Sequence, residues 1–271
     1  MENDLGEWRV AVIEWRDVVK IFPLRTKGAT RALRALDGIS FGVERGEIVA
    51  LLGPSGCGKT TALRIAMGLD AANAGSVVVN GKNVTGCGHD RGMVFQHAEL
   101  LPWYTALENV KFGLRMKGVS EPFLTETALR YLELVGLTKA AQQRPHQLSG
   151  GMKQRVGIAR ALAIDPEILF MDEPFGALDS QTREVLQTEL LTIHAKTQKT
   201  IVFVTHDLDE AVVLANRVVV MSAGKVREII PVELDHTGDV RALRGSPEFA
   251  LKRGQVWETL HRVDSVPPGH S

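Results

Sequence analysis

The chain has 271 residues, and its 32 basic and 32 acidic side chains give a formal net charge of zero. A hydrophobic content of 44% and a charged content of 24% are those of a soluble globular protein, and nothing in the charge balance indicates a nucleic-acid partner. No apolar run reaches the roughly 18 residues of a membrane span, and the acidic first residues do not resemble a secretory signal. The two cysteines are read as free thiols in a reducing compartment.

The first third of the chain is predicted to be rich in β-structure. Residues 10–22 alternate loosely between apolar and polar side chains and predict a strand. Residues 23–34 are basic and turn-like, and residues 35–43 predict a second strand. Residues 75–84 contain Asn-Gly, the strongest short hairpin signal.

The middle of the chain, from residue 100 to residue 163, changes to helical periodicity. Apolar side chains recur at helical spacing over residues 105–116 and 123–135, and again over residues 152–163. This stretch therefore predicts a mainly α-helical region after the β-rich one.

The last third is predicted to return to an α/β pattern. Residues 168–171 and 201–204 are short, continuous apolar runs, as expected for strands of a parallel sheet covered on both faces. A helix over residues 181–196 separates them, and a hairpin follows at residues 218–230. Residues 247–261 predict a short helix in an otherwise polar tail.

The clearest motif is the segment L-L-G-P-S-G-C-G-K-T-T at residues 51–61, which follows an apolar strand and opens a helix. It fits the phosphate-binding loop G-x-x-x-x-G-K-[ST] in the structural context that the motif requires. Lys59 is expected to reach the β- and γ-phosphates, and the Thr60 hydroxyl to bind Mg²⁺. Cys57 is either a small residue that fits the loop or a thiol activated by the helix N-terminus, and we favour the first.

Two further segments predict phosphate chemistry. Asp172 and Glu173 end a buried strand, where carboxylates can hold Mg²⁺ through water and polarise an attacking water molecule. Ser149, Gly150 and Gly151 open a predicted helix, whose N-terminus would face a second phosphate group.

The four motifs together resemble the ATP-binding-cassette (ABC) ATPases. They are the phosphate loop, L-S-G-G-M-K-Q-R, I-L-F-M-D-E-P and T-H-D, in this order, and the resemblance covers about residues 10–230. It implies a P-loop NTPase (RecA-like) α/β core with an antiparallel β subdomain and an inserted α-helical subdomain at about residues 98–163. The cassette would span residues 1–235 and be followed by a partly helical tail at 236–271.

The resemblance implies a role for each matching residue. Phe22 is similar to the aromatic residue that stacks on adenine, and we favour this role over that of a core residue. The nucleotide would be contacted by Phe22, Gly53, Pro54, Ser55, Gly56, Cys57, Gly58, Lys59, Thr60 and Thr61. Mg²⁺ would be held by Thr60, Gln96 and Asp172, and the catalytic residues would be Glu173, His206 and Gln96.

The same resemblance implies a head-to-tail dimer with two ATP molecules between its subunits. The signature residues Ser149, Gly150, Gly151 and Gln154 would contact the ATP of the partner, and Asp179 would lie in the D-loop that crosses to it. The working unit would therefore contain a second copy of the chain.

A finer resemblance links the chain to the nitrate/sulfonate/taurine branch of bacterial importer ATPases. It implies an ATPase on the cytoplasmic face of the inner membrane, with ATP and Mg²⁺ as cofactors and transmembrane permease subunits as partners. A substrate-binding protein would be an indirect partner, on the far side of the membrane. His97 and Arg144 depart from the usual residues of this branch, which leaves the details of pairing open.

Three alternatives remain at this point. A non-transport ABC ATPase acting on ribosomes or DNA usually has two fused cassettes or coiled-coil insertions, and this sequence has neither. An inactive cassette would be expected to lack Lys59, Asp172, Glu173 or His206, all of which are present. An exporter ATPase is disfavoured by the branch resemblance. The sequence does not name the transported solute or assign a role to the tail.

Overall fold

The structure is a computed structural model that describes residues 11–26, 29–235 and 240–264. Its strands are β1 (Ala11–Thr26), β2 (Ala29–Glu44), β3 (Ile48–Leu52), β4 (Ala74–Val79), β5 (Lys82–Asn83), β6 (Arg91–Val94), β7 (Ile168–Asp172), β8 (Thr200–Thr205), β9 (Arg217–Ser222) and β10 (Lys225–Pro231). Its α-helices are α1 (Lys59–Met67), α2 (Ala106–Met116), α3 (Phe123–Leu134), α4 (Gly150–Ala163), α5 (Ser180–Thr197), α6 (Leu208–Leu214), α7 (Val240–Arg244) and α8 (Pro247–Asp264).

A four-stranded antiparallel sheet has the strand order β2-β1-β4-β5. The predicted turn at residues 23–34 is wrong for most of its length, because β1 and β2 pair on through Pro23 and Ala32. Strand β4 pairs with β1 only as far as Val19, so beyond that point one edge of β1 has no partner strand among the described residues. Pro23 can stay in the strand because an edge position does not need its missing N–H.

A six-stranded sheet with the order β10-β9-β3-β8-β7-β6 forms the centre of the molecule. Five of its strands run parallel to one another, namely β9, β3, β8, β7 and β6, and β10 pairs antiparallel with β9 at one edge of the sheet. Every residue of β3, β7 and β8 is buried. The continuous apolar runs predicted this parallel arrangement correctly. Because the strands are parallel, the C-terminal ends of β3, β8 and β7 lie side by side at the same end of the sheet.

Helices α2, α3 and α4 pack together into the α-helical subdomain that follows β6. The Thr105 side chain caps α2 by accepting from the Glu108 backbone N–H at 3.2 Å. Asn109 is fully buried and holds the preceding loop, since its Oδ1 accepts from the Leu101 N–H at 2.8 Å and its Nδ2 donates to the Thr105 carbonyl at 2.9 Å. The loop over residues 101–105 therefore has a fixed shape on the subdomain surface.

The C-terminal helices pack onto the central core rather than away from it. Val240 of α7 and Phe249 and Val256 of α8 are buried in the same apolar cluster as β3 residues. Arg253 of α8 also pairs with Asp209 of α6 at 2.5 Å. The helix predicted at residues 247–261 is confirmed and is slightly longer, whereas α6 and α7 were not predicted. Within the described ranges, none of the helices is long and apolar enough to cross a membrane.

Candidate functional site

The phosphate loop connects the C-terminal end of β3 to the N-terminus of α1. Gly58 precedes the helix with φ +105°, and a Cβ atom there would lie 2.4 Å from the Ala35 carbonyl oxygen. The Lys59 Nζ atom donates to the carbonyl oxygens of Gly53 at 2.7 Å and Pro54 at 2.9 Å. The ammonium group is thus held over the loop, where a polyphosphate would be cradled.

Cys57 is buried within this loop. Burial raises the pKa of its thiol above the usual value, and the nearby Lys59 only partly opposes this effect. Of the two interpretations of Cys57, the structure favours a small residue that packs the loop over a reactive thiolate.

Thr60 and Asp172 join the phosphate loop to the end of β7. The Thr60 hydroxyl donates to Asp172 Oδ1 at 2.9 Å. Burial raises the pKa of the Asp172 carboxyl group, the Thr60 hydrogen bond opposes that rise, and the neighbouring Glu173 carboxylate adds to it. The pair offers two hard oxygen atoms beside the loop, which is the donor chemistry that Mg²⁺ prefers.

Glu173 lies at the meeting point of three segments. Its Oε2 atom accepts from Gln96 Nε2 at 3.2 Å and lies 3.3 Å from His206 Nδ1. Its backbone has φ +43°, in the left-handed region that costs energy for a residue with a side chain. The backbone N–H still donates to the Val204 carbonyl at 3.0 Å, so the surrounding strands hold this conformation.

The loop that carries His206 is held by its neighbours. The Thr205 hydroxyl donates to the Glu210 carboxylate and accepts from the Asp207 N–H at 3.0 Å. The Asp207 side chain caps α6, and Arg183 lies 3.5 Å from its carboxylate. Neither Glu210 nor Arg183 was predicted from the sequence, although Asp207-x-x-Glu210 before an apolar run is the pattern of a helix start.

Ser149, Gly150 and Gly151 form the N-terminus of α4. The Ser149 Oγ atom accepts from the Met152 N–H at 3.2 Å, which is an N-cap. Ser149 and Gly150 are exposed, and a Cβ atom on Gly150 would meet no described heavy atom within 4 Å. These positions can therefore be approached from outside the chain.

Gln154 differs from the other three residues of the predicted signature. Its side chain is buried, and Nε2 donates to the Phe95 carbonyl at 3.0 Å. It links α4 to the segment that carries Gln96 instead of pointing outward. Arg160 reinforces this link by donating to the carbonyls of Ala98 and Glu99 at 2.7 and 2.9 Å.

Asp179 and Phe22 lie on separate elements. The Asp179 side chain caps α5 by accepting from the Thr182 N–H at 3.0 Å, and that contact lowers the pKa of its carboxyl group. Phe22 is half-buried opposite Leu33 on the β1–β2 hairpin, with the Lys20 Nζ atom 5.0 Å from its ring centroid. The contact of Asp179 with a partner and of Phe22 with adenine stay predictions.

The model of a known protein family, described as ABC transporter, matches residues 36–176. The chain belongs to the ABC transporter family. An ABC transporter ATP-binding protein of Methanocaldococcus jannaschii is 50% identical over 230 residues, covering 84% of this chain and 85% of that protein. As an ABC ATP-binding subunit, the chain is an ATPase, and its fold is the predicted P-loop NTPase α/β fold.

Two relatives have named import roles. The taurine import ATP-binding protein of Rhizobium johnstonii is 46% identical over 243 residues, covering 87% of this chain and 92% of that protein. The nitrate import ATP-binding protein of Synechocystis is 46% identical over 268 residues, covering 93% and 99%.

The ABC cassette is also similar to solved structures. One is a dimeric ATP-binding cassette in a post-hydrolysis state bound to ADP and Pi, with a TM-score of 0.76 and 33% identity. The match covers 82% of this chain and 99% of that one.

Proposed function

We propose that this ABC ATPase powers the uptake of a small solute, such as nitrate, a sulfonate or taurine, through a membrane permease. The observation that carries the catalytic part is the single carboxylate oxygen of Glu173 shared by Gln96 and His206, close to the Thr60–Asp172 pair. The import part is supported by the relatives with taurine and nitrate import names.

The phosphate loop would bind the nucleotide. Residues 53–61 would surround the phosphates with backbone N–H groups, and Lys59 would exchange its loop carbonyl partners for phosphate oxygen atoms. Phe22 would stack on the adenine ring. Thr60 and Asp172, with Gln96, fit a Mg²⁺ ion that keeps several water ligands, and the bound ion would neutralise phosphate charge.

Hydrolysis needs a base that faces the γ-phosphate. The Glu173 carboxylate would accept a proton from the attacking water molecule while Gln96 and His206 fix its orientation. His206 is largely exposed, with 63% of its side chain accessible, so its ring can also donate to a γ-phosphate oxygen atom. These groups act by position and charge, which is the main source of catalysis in phosphoryl transfer.

A second copy of the chain would complete the site. The exposed N-terminus of α4, at Ser149, Gly150 and Gly151, would cap the ATP bound by the partner subunit, and Asp179 would lie at the same interface. Gln154 would contribute from inside by tying α4 to the Gln96 segment. Site closure would thereby depend on ATP and on dimer formation.

The permease would dock on the surface around residues 96–104. Trp103 is 63% exposed there, and the loop shape is fixed by Asn109. An exposed aromatic side chain on a rigid loop is a typical anchor for a protein partner. The chain would then sit at the cytoplasmic face of the inner membrane, with a substrate-binding protein on the other side.

Transport into proteoliposomes tests the proposal. The chain would be reconstituted with its permease and binding protein, and uptake of labelled nitrate, taurine and an alkanesulfonate would be followed with Mg-ATP on the cassette side. We expect ATP-dependent uptake of one of these solutes and its loss with Lys59→Ala. Uptake of none of them would contradict the proposed solute class, and uptake that Lys59→Ala leaves unchanged would contradict the importer assignment.

A further inference from the structure

A buried chain of hydrogen bonds connects the C-terminal tail to the loop of His206. Arg244 of α7 donates from Nη2 to Gln187 Oε1 at 3.1 Å, and Gln187 Nε2 donates to Glu210 Oε1 at 3.2 Å. The second oxygen atom of Glu210 accepts from the Thr205 hydroxyl. Thr205 is the residue directly before His206, and its hydroxyl also accepts from the Asp207 N–H at 3.0 Å.

The polarity of this chain is consistent from end to end. Each donor points toward the Glu210 carboxylate, which accepts from Gln187 on one side and Thr205 on the other. The Gln187 amide has only one arrangement that both donates to Glu210 and accepts from Arg244. Such a chain polarises its members and gives each side chain one preferred orientation.

Because these side chains are buried, loss of any one of the connected hydrogen bonds would cost free energy. Gln187 is fully buried, and Thr205 and Glu210 are 2% and 4% exposed. Burial also raises the pKa of the Glu210 carboxyl group, a sign that this group depends on its partners when charged. Loss of one donor leaves a buried acceptor without a hydrogen bond, so the neighbouring side chains would shift to recover one.

The C-terminal tail is anchored in the core by its apolar side chains, which fixes the position of Arg244. Val240, at the start of α7, is fully buried in the central core, and Phe249 of α8 lies in the same cluster. Arg244 is half-buried at the last residue of α7. Its guanidinium group therefore approaches Gln187 from a helix that is itself anchored.

We propose that Arg244, acting through Gln187, Glu210 and Thr205, is a positioning residue that holds the His206 loop in its hydrolysis-competent place. The tail would thus tune the rate of ATP turnover without contacting the nucleotide. This inference rests on the role proposed above for His206.

Steady-state ATP hydrolysis by the purified full-length chain tests the inference. Arg244→Met removes the hydrogen bond at the tail end of the series, and Gln187→Met removes the next one along with it. We expect each to lower kcat by about three- to tenfold, the effect of one lost hydrogen bond, with KM for ATP within about twofold of wild type. Arg244→Lys keeps a donor and should recover most of the loss.

Arg253→Ala is the matched control. It breaks another tail contact on the same α6 helix, the ion pair with Asp209, but lies outside the hydrogen-bond chain. Its kcat should equal that of wild type, and thermal unfolding of each variant would show that it is folded. Wild-type kcat in Arg244→Met, an equal loss in Arg253→Ala, or a change in KM in place of kcat would overturn the inference.

The His206→Ala variant separates this inference from the proposed function. If it turns over ATP at the wild-type rate, the role of the histidine is wrong. If it is inactive while Arg244→Met is fully active, only the role of the tail is wrong.

Discussion

The Nδ1 atom of His206 lies 3.3 Å from Oε2 of Glu173, so the ends of two neighbouring strands, β8 and β7, meet at one carboxylate oxygen. The short loop after each strand places these two side chains on the same edge of the sheet. The contact lies next to Asp172, whose side chain accepts from the Thr60 hydroxyl of the phosphate loop.

Replacing His206 with alanine should remove one of the two groups that orient Glu173. We expect kcat for ATP hydrolysis to fall about a hundredfold, as for loss of one well-placed transition-state donor. The affinity for ATP should change little, because Lys59 and the phosphate loop are untouched. Steady-state kinetics and equilibrium nucleotide binding would measure the two effects. Exposed His89, changed to alanine, is the control and should keep full activity.

Ser149 allows the dimer interface to be tested without loss of the helix cap. Ser149→Asp and Ser149→Asn both keep a good N-cap acceptor for the Met152 N–H. Only Ser149→Asp adds a negative charge that would repel the phosphates of the partner's ATP. Light scattering with ATP should therefore show dimers for Ser149→Asn and monomers for Ser149→Asp. Equal dimer formation by both variants would place the ATP elsewhere.

The phosphate loop contains a matched pair of glycines. Gly58→Ala would place its Cβ atom 2.4 Å from the Ala35 carbonyl oxygen, whereas Gly56→Ala meets no described heavy atom within 4 Å. Gly56 has φ +79°, so Gly56→Ala should cost only the left-handed backbone strain, about 1–2 kcal/mol. Gly58→Ala should lower the free energy of unfolding by more than about 3 kcal/mol. Urea unfolding measures both, and equal losses would contradict this description of the loop.

The stability of the chain should fall on mild acidification because of His194. Its Nε2 atom lies 2.8 Å from the Gly46 carbonyl oxygen, and burial lowers the pKa of its imidazole below the usual value of 6.5. The unfolded chain then binds this proton more readily than the folded chain. The stabilisation is complete above pH 6.5 and is lost as the pH falls through the folded pKa, with a slope of at most about 1.4 kcal/mol per pH unit.

His194→Gln keeps a donor for Gly46 but cannot titrate. The difference in unfolding free energy between wild type and His194→Gln should be constant above pH 7 and should shift against wild type as the pH falls toward 5. Urea unfolding at several pH values would measure it. A difference that stays constant over this range would show that His194 is not the titrating group.

Local patterns were sufficient to predict much of the fold and of the site. The phosphate loop, the strand before Asp172 and Glu173 and the N-cap at Ser149 depend on neighbours in sequence, and each lies where the sequence predicts. Gln96, Glu173 and His206 come from three separate segments. Their meeting could be expected only from the family resemblance, because spacing alone does not fix strand order.

The remaining features depend on tertiary contacts. The β1–β2 hairpin extends through residues that read as a turn because strand pairing outweighs local composition. Gln154 and Glu210 carry polar side chains, which usually lie at the surface, yet both are buried against specific partners. Burial of this kind depends on which elements pack together, and no local pattern encodes it.

The proposed mechanism depends on Glu173, which would activate water for hydrolysis of ATP held between two subunits. Glu173→Gln keeps the size of the side chain and removes its basicity, whereas Glu167→Gln makes the same change at the opposite end of β7 and is the control.

The most direct measurement combines ATP turnover with light scattering of the purified Glu173→Gln chain in Mg-ATP. We expect turnover below about 1% of wild type, consistent with loss of a general base, together with a stable ATP-dependent dimer, while Glu167→Gln behaves as wild type. Turnover of Glu173→Gln at the wild-type rate would contradict its role as the general base, and a monomer in saturating ATP would contradict the dimer with ATP between its subunits.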